Sequence, residues 1–217
     1  MISLVKGDEP EILSSNGASW LKILEDKIAA NEAPSDAEKT RYRHPEIKAA
    51  LVEETYGKCA YCESRLLHIA FGDVEHISPK SLKLADTFRW SNLTLACDRC
   101  NTYKKNFEGI ADPYVDDPQN LFLFLGPMIC AREDNAKAVV TVRQLRLNRT
   151  DLVEGRTKRL EALANILLVI HSTRQTEVRS VLIDDLLENE LADDTEYAAF
   201  ARSFIRTIAP DLAPVGS

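Results

Sequence analysis

The chain has 217 residues, 45% of them hydrophobic and 28% charged, a composition typical of one folded domain or of one domain with an appendage. It contains no apolar run of about 18 residues that would span a membrane, and its first residues lack the apolar core of a signal peptide, so we expect a cytoplasmic protein. The net charge of −7 argues against a protein that binds nucleic acid on its own, because phosphate contacts need cations.

The N-terminal segment, residues 1–56, predicts helices that pack on a central core. Apolar residues recur there at helical spacing, at Trp20, Leu24 and Ile28. Residues 33–43 are polar and predict a loop. Pro45 is well placed as the first residue of a short helix that ends near Gly57.

The central segment, residues 57–110, contains two Cys-x-x-Cys pairs. Cys59 and Cys62 form the first pair, Cys97 and Cys100 form the second, and 34 residues lie between them. Two such turns complete a tetrahedral Cys₄ shell that leaves no position for water, so the spacing predicts a structural zinc site. Four unligated thiols are the alternative. A redox dithiol would need only one pair and would leave the second pair unexplained.

Polar residues with possible chemical roles stand between and after these pairs. Glu75 and His76 follow the first pair, Asn92 precedes the second pair, and Asn101 comes directly after it. A Glu-His dipeptide by itself is more often a pair of surface residues without a catalytic role. Residues 56–107 carry a formal +3, which four thiolates and one Zn²⁺ would bring near neutral, while the rest of the chain carries −10.

A connector, residues 111–150, follows the central segment. It contains two apolar or β-branched runs, Leu121–Leu125 and Val139–Val142, which predict two short strands. Cys130 lies between these runs and is interpreted as an ordinary small apolar residue.

The C-terminal region, residues 151–217, predicts helices, because three apolar stripes recur there at helical spacing. Such stripes are usually packing surfaces. The acidic run from Asp184 to Glu196 predicts either a solvated helix face or a docking face for a partner protein.

The order of the central motifs resembles the HNH family of ββα-metal nucleases. The family pattern is Cys-x-x-Cys, Asp/Glu-His-x-x-Pro, Asn-Leu, then Cys-x-x-Cys followed by Asn or His and a basic residue. Every element occurs in this order between Gly57 and Asn106, although Asp is commoner than Glu at the position of Glu75. The resemblance implies an α+β, mainly helical chain, with a zinc-bound Cys₄ core flanked by N-terminal helices and a C-terminal helical region.

The resemblance and the chemistry of phosphodiester hydrolysis assign roles to these residues. His76 can accept a proton from water near neutral pH. Glu75 and Asn101 offer oxygen ligands to one catalytic Mg²⁺ or Mn²⁺. Neighbouring strand residues face opposite sides, so Glu75 and His76 can share a site only at the edge of the strand or through its twist. Asn92 is expected to tether the catalytic loop, and a plain turn residue is the alternative.

Three lysines are candidate contacts for a substrate phosphate: Lys80, Lys104 and Lys105. Exposed lysines without a function are the equal alternative for each of them. His68 lies in the loop before Glu75 and is a weaker candidate for the cleft.

A narrower resemblance connects the chain to the PtuB family, the HNH effectors of Septu-type antiphage systems that also occur with some retrons. It rests on residues 41–45, 58–63, 73–81, 112–118 and 147–156, and it covers roughly residues 1–165. It implies a nucleic-acid substrate and an ABC- or SMC-like ATPase partner of the PtuA type. Both DNA and RNA remain open as substrates.

Two other functions were weighed against an HNH endonuclease. A non-catalytic, zinc-stabilised module that binds nucleic acid or protein shares the Cys₄ site but does not require Glu75, His76 and Asn101. A zinc deaminase needs His-x-Glu before Pro-Cys-x-x-Cys and an open zinc position, and this chain has neither.

Overall fold

The computed structural model describes residues 1–66 and 72–213, and it begins with the predicted helical segment. Helix α1 covers Glu11–Ala29, α2 covers Asp36–Lys39 and α3 covers Pro45–Glu54, with Pro45 at its first turn as predicted. The polar stretch 33–43 is not only a loop. The Ser35 hydroxyl accepts a hydrogen bond from the Glu38 N–H (3.3 Å), and the Glu38 carboxylate accepts one from the Ser35 N–H (2.7 Å). This reciprocal pair is a capping box, which starts α2.

The central element is a β-hairpin followed by a helix. Strand β1 covers Asp73–His76 and pairs antiparallel with β2, Leu93–Ala96, placing Glu75 opposite Thr94. Helix α4, Asp98–Lys104, follows β2 directly. This ββα unit confirms the fold predicted for the core.

The connector contains one of its two predicted strands. After the short helix α5, Pro118–Leu121, strand β3 covers Phe122–Leu125 and pairs with β4, Met128–Ala131. The strand predicted at Val139–Val142 is wrong, because those residues lie in helix α6, Ala136–Gln144. The Asn135 side chain caps this helix by accepting a hydrogen bond from the Ala138 N–H (2.9 Å), and a cap of this kind outweighs the strand preference of β-branched residues.

The C-terminal region is helical, as predicted. Helix α7 covers Thr150–Ser172, α8 covers Thr176–Asp185, and α9 covers Ala198–Ile208 after a π-helical turn at 186–190. Helix α7 buries Leu163 and Leu167, whereas α8 buries none of its residues. The apolar stripe predicted at this position packs through its C-terminal part: Leu186, just after α8, is fully buried, and Leu182 and Leu187 pack partly buried against the core, whereas Val181 is exposed.

One hydrophobic cluster includes residues from all four predicted segments, among them Leu24, Leu95, Ile129 and Leu163. Arg156 of α7 lies inside it, donating a hydrogen bond to the Leu147 carbonyl (2.7 Å). The ββα unit is therefore held by packing on both of its flanks. Within the described ranges, no helix is long and apolar enough to cross a membrane.

Candidate active site

The four paired cysteines come together in one buried cluster. Their Sγ atoms all lie within 4.8 Å of one another, and the Sγ atoms of Cys62 and Cys97 are 3.9 Å apart. None of the four forms a disulfide. A tetrahedral zinc with Zn–S bonds of about 2.3 Å requires sulfur atoms about 3.8 Å apart, so both the donors and their spacing fit zinc.

Local backbone geometry presents the sulfurs of the first pair. The Cys59 N–H donates to the Ser64 carbonyl (2.9 Å), and the Glu63 N–H donates to the Cys59 carbonyl (2.9 Å). Glu63 has a φ of +65°, in the left-handed region that such a tight turn requires. The Ala60 N–H donates to the Leu95 carbonyl of β2 (2.9 Å), which fixes the turn against the hairpin.

Arg149 lies beside the cysteine cluster, where the sequence motifs do not predict a role for it. Its guanidinium donates to Cys100 Sγ (3.7 Å) and to Cys97 Sγ (3.9 Å). Burial opposes the charged form of Arg149, but the thiolates of Cys100 and Cys62 outweigh burial and raise its pKa. A Cys₄ zinc site carries a net charge of −2, so Arg149 offsets part of that charge. The one signal for Arg149 in the sequence is that it lies in residues 147–156, a stretch that carries the resemblance to the PtuB family.

The face of β1 that packs against α4 carries acidic side chains. Glu75 accepts a hydrogen bond from the Lys104 ammonium (3.0 Å), and Asp73 accepts one from the Asn101 amide (3.1 Å). Asp73 was not assigned a role from the sequence, although it stands two positions before Glu75 and therefore on the same strand face. Three oxygen-bearing side chains thus lie between β1 and α4.

Lys104 is not placed to bind a substrate phosphate, so that prediction is wrong. Its side chain is fully buried, and its ammonium donates both to Glu75 and to the His76 carbonyl (2.7 Å). Helix α4 turns this lysine inward onto β1, where the buried carboxylate needs a counter-charge. Burial raises the pKa of Glu75, and Lys104 opposes that rise.

His76 is held in one tautomer. Its Nε2 lies 2.9 Å from the Thr87 carbonyl oxygen, which can only accept, so Nε2 carries the proton and Nδ1 keeps its lone pair. Burial, together with the nearby cations Lys80, Lys104 and Arg43, lowers the pKa of His76 to about 4. The ring is therefore neutral at pH 7, as a proton acceptor must be.

Asn92 connects the two ends of the loop that follows β1. Its side-chain oxygen accepts from the Ser78 N–H (2.8 Å), and its amide donates to the carbonyls of Ser78 (3.0 Å) and Asp86 (3.1 Å). Its own carbonyl accepts from the Ile77 N–H (2.9 Å). The side chain is buried and fully engaged, which is the geometry that a tether of the residues after His76 requires.

Three of the four candidate catalytic residues line one cleft of about 200 Å³, whereas Asn92 does not line it. Glu75, His76 and Asn101 all contribute to its wall, and Lys80 and Lys105 also line it. Three successive residues of β1, Val74, Glu75 and His76, line this cleft, so neighbouring strand residues do reach one space. His68 lies outside the residues that the structure describes.

The central segment matches the family model described as HNH endonuclease over residues 59–107. Two curated proteins, both called "Septu protein PtuB", are similar to a larger part of the chain. The protein from Bacillus thuringiensis is 32% identical over 178 residues, covering 74% of this chain and 68% of the relative. The protein from Bacillus mycoides (strain KBAB4) is 24% identical over 196 residues, covering 73% and 66%.

The HNH match contains both cysteine pairs, β1, β2 and α4, and therefore every candidate catalytic residue. The similarity to the two relatives extends well beyond that unit into the flanking regions. On these grounds, the chain belongs to the family of Septu PtuB proteins and carries an HNH endonuclease domain.

Proposed function

We propose that this protein is an endonuclease that hydrolyses phosphodiester bonds of nucleic acid at the cleft beside β1. The observation that carries the proposal is the convergence of Glu75, a neutral His76 and Asn101 on one cleft beside a Cys₄ cluster. A structural zinc module that only binds would need the cluster and not this arrangement.

Two metal ions belong to the proposal. The four cysteines would hold zinc, which would stabilise the turn, the hairpin and α4 as one unit. Asn101 and Glu75, together with Asp73, would hold a hard divalent ion, because oxygen donors are the ligands that Mg²⁺ and Mn²⁺ prefer. When bound, that ion supplies positive charge to the phosphate oxygens.

Residues of the protein itself accept the proton of the attacking water and position the group that accepts it. Nδ1 of His76 accepts a proton from the water, whose oxygen then forms a bond to phosphorus as the P–O bond to the leaving oxygen breaks. The Thr87 carbonyl holds the ring through Nε2, and Asn92 fixes the loop that follows His76. Lys80 and Lys105 at the cleft are the remaining candidate phosphate contacts.

The biological setting is proposed from the family. Because the similar proteins are Septu proteins, we propose that the chain acts in defence against phage and works with an ATPase of the PtuA type. The acidic surface outside the central segment agrees with a nuclease that depends on a partner, since it weakens binding to nucleic acid by the chain alone.

The test is cleavage of DNA and RNA by the purified chain, alone and with an ATPase of the PtuA type, with Mg²⁺ or Mn²⁺ added. We expect cleavage by the wild-type protein and none by His76→Ala. His171→Ala is the matched control, because His171 is exposed on α7 and does not line the cleft. Cleavage by His76→Ala at the wild-type rate would exclude His76 as the proton acceptor.

The same assay separates the nuclease from the binding module. A module without catalysis would bind nucleic acid equally well before and after addition of Mg²⁺ or Mn²⁺ and would leave it intact under every condition. The ratio of activity on DNA to activity on RNA identifies the substrate class.

A further inference from the structure

Two of the residues that line the cleft lie outside the HNH match. The match covers residues 59–107, whereas Tyr42 and Arg43 come from a 3₁₀ turn, Arg41–Arg43, between α2 and α3. This turn therefore forms a wall of the cleft that the HNH unit itself does not supply.

Tyr42 connects the proposed proton acceptor to a cation. Its ring is buried and stands edge-on to the His76 ring, with centroids 4.5 Å apart and an interplanar angle of 74°. Its hydroxyl accepts a hydrogen bond from the Lys80 ammonium (2.9 Å), which also lies 4.3 Å from the ring centroid. One aromatic side chain thus fixes where the Lys80 charge lies relative to His76.

The cations at this cleft lack acidic partners. In the ranges 1–66 and 72–213, neither Arg43 nor Lys80 forms an ion pair with a carboxylate. Lys83 and Arg89, which lie in the same loop as Lys80, are both paired with Asp86. In a chain of net charge −7, carboxylates are plentiful, so unpaired cations around one cleft indicate a site for an anion.

Arg43 is the cation that the HNH unit does not provide. Its side chain is exposed, and its guanidinium lies 5.7 Å from the Tyr42 ring. A planar guanidinium can donate two parallel hydrogen bonds to a phosphate, which an ammonium cannot do. Arg41, in the same turn, faces the Trp20 ring instead (5.8 Å) and does not line the cleft.

We propose that the 3₁₀ turn Arg41–Arg43 is part of the nucleic-acid site, with Arg43 as a contact to a substrate phosphate and Tyr42 as a positioning residue for Lys80. This inference rests on the proposed function, since it names additional residues for binding the same substrate. The N-terminal segment then contributes directly to substrate binding.

The test compares Arg43→Gln with Arg41→Gln, which remove the same charge from the same turn. Binding of fluorescein-labelled DNA and RNA oligonucleotides is measured by anisotropy at several salt concentrations, in buffer without Mg²⁺ or Mn²⁺. We expect Arg43→Gln to weaken binding about tenfold and to lower the salt dependence by about one phosphate contact. Arg41→Gln should change binding less than twofold.

The role of Tyr42 is tested with Tyr42→Phe, which keeps the ring and removes the hydroxyl. We expect it to raise KM with little effect on kcat, and to have no further effect when Lys80 is already replaced by Gln. A purely structural role for Tyr42 would produce the same loss in both backgrounds.

The outcomes keep this inference apart from the nuclease proposal. Equal binding by Arg43→Gln and Arg41→Gln, or no binding of either oligonucleotide by the wild-type chain, would overturn the inference. A selective loss with Arg43→Gln supports it even if the wild-type chain cleaves nothing, because the binding assay needs no cleavage. If Arg43→Gln cleaves nucleic acid with the KM and the rate of the wild-type protein, the inference about Arg43 is overturned and the proposal of nuclease activity stands.

Discussion

The buried pair of Lys104 and Glu75 gives the sharpest prediction about stability. Replacing Lys104 with Met keeps most of the buried aliphatic volume but leaves the Glu75 carboxylate without its counter-charge and the His76 carbonyl without its donor. Breaking a buried ion pair on one side typically costs about 3–5 kcal/mol. Burial already raises the pKa of Glu75, so the carboxylate can take up a proton, and we expect the low end, about 3 kcal/mol.

Urea unfolding followed by circular dichroism measures this loss directly. Lys105→Met is the matched control, because its side chain is exposed and we expect a change below about 0.5 kcal/mol. The double variant Lys104→Met/Glu75→Gln removes both charges and should be more stable than Lys104→Met alone. A loss below about 1 kcal/mol for Lys104→Met, or a loss equal to that of Lys105→Met, would refute the argument that this pair is buried and coupled.

Three further predictions concern the loop after β1 and the cysteine cluster. Asn92→Ala removes three hydrogen bonds to the loop after β1, and it should cost about 3 kcal/mol in urea unfolding and lower cleavage strongly. Asn189→Ala should do neither, because Asn189 is exposed on the π-helical turn. Arg149→Gln should speed the release of zinc to a chromogenic chelator several-fold, and Arg146→Gln, exposed in the same loop, should not. Removing the zinc should abolish cooperative unfolding of the chain, and an unchanged circular dichroism spectrum after verified zinc loss would contradict a structural role.

The cysteine cluster and the order of the site residues were predictable from the sequence. Two Cys-x-x-Cys pairs constrain the chain locally, because each pair needs only one tight turn to aim two sulfurs at one ion. The same applies to Pro45, whose fixed φ suits the first turn of a helix wherever it occurs. Such signals depend on a few neighbouring residues and are independent of the tertiary contacts made by the rest of the chain.

The segment Val139–Val142 illustrates where local signals fail. Its β-branched residues favour a strand, but β3 instead pairs with the segment just after the turn at Gly126, so the run has no strand to join. Strand formation requires a partner, and the identity of that partner is a property of the tertiary structure.

Lys104 and Lys105 show the same limit within the site. The two residues are adjacent and identical in type, and the sequence predicted the same role for both. Lys104 is the last residue of α4 and its side chain is buried against Glu75, whereas Lys105 follows the end of the helix with a φ of +50° and lines the cleft. The sequence alone determined which four cysteines cluster and the order of the HNH motifs, because these follow from spacing. Only the tertiary structure decided which cation is a buried counter-charge, and that Tyr42, Arg43 and Arg149 join the site, because those contacts link residues far apart in the chain.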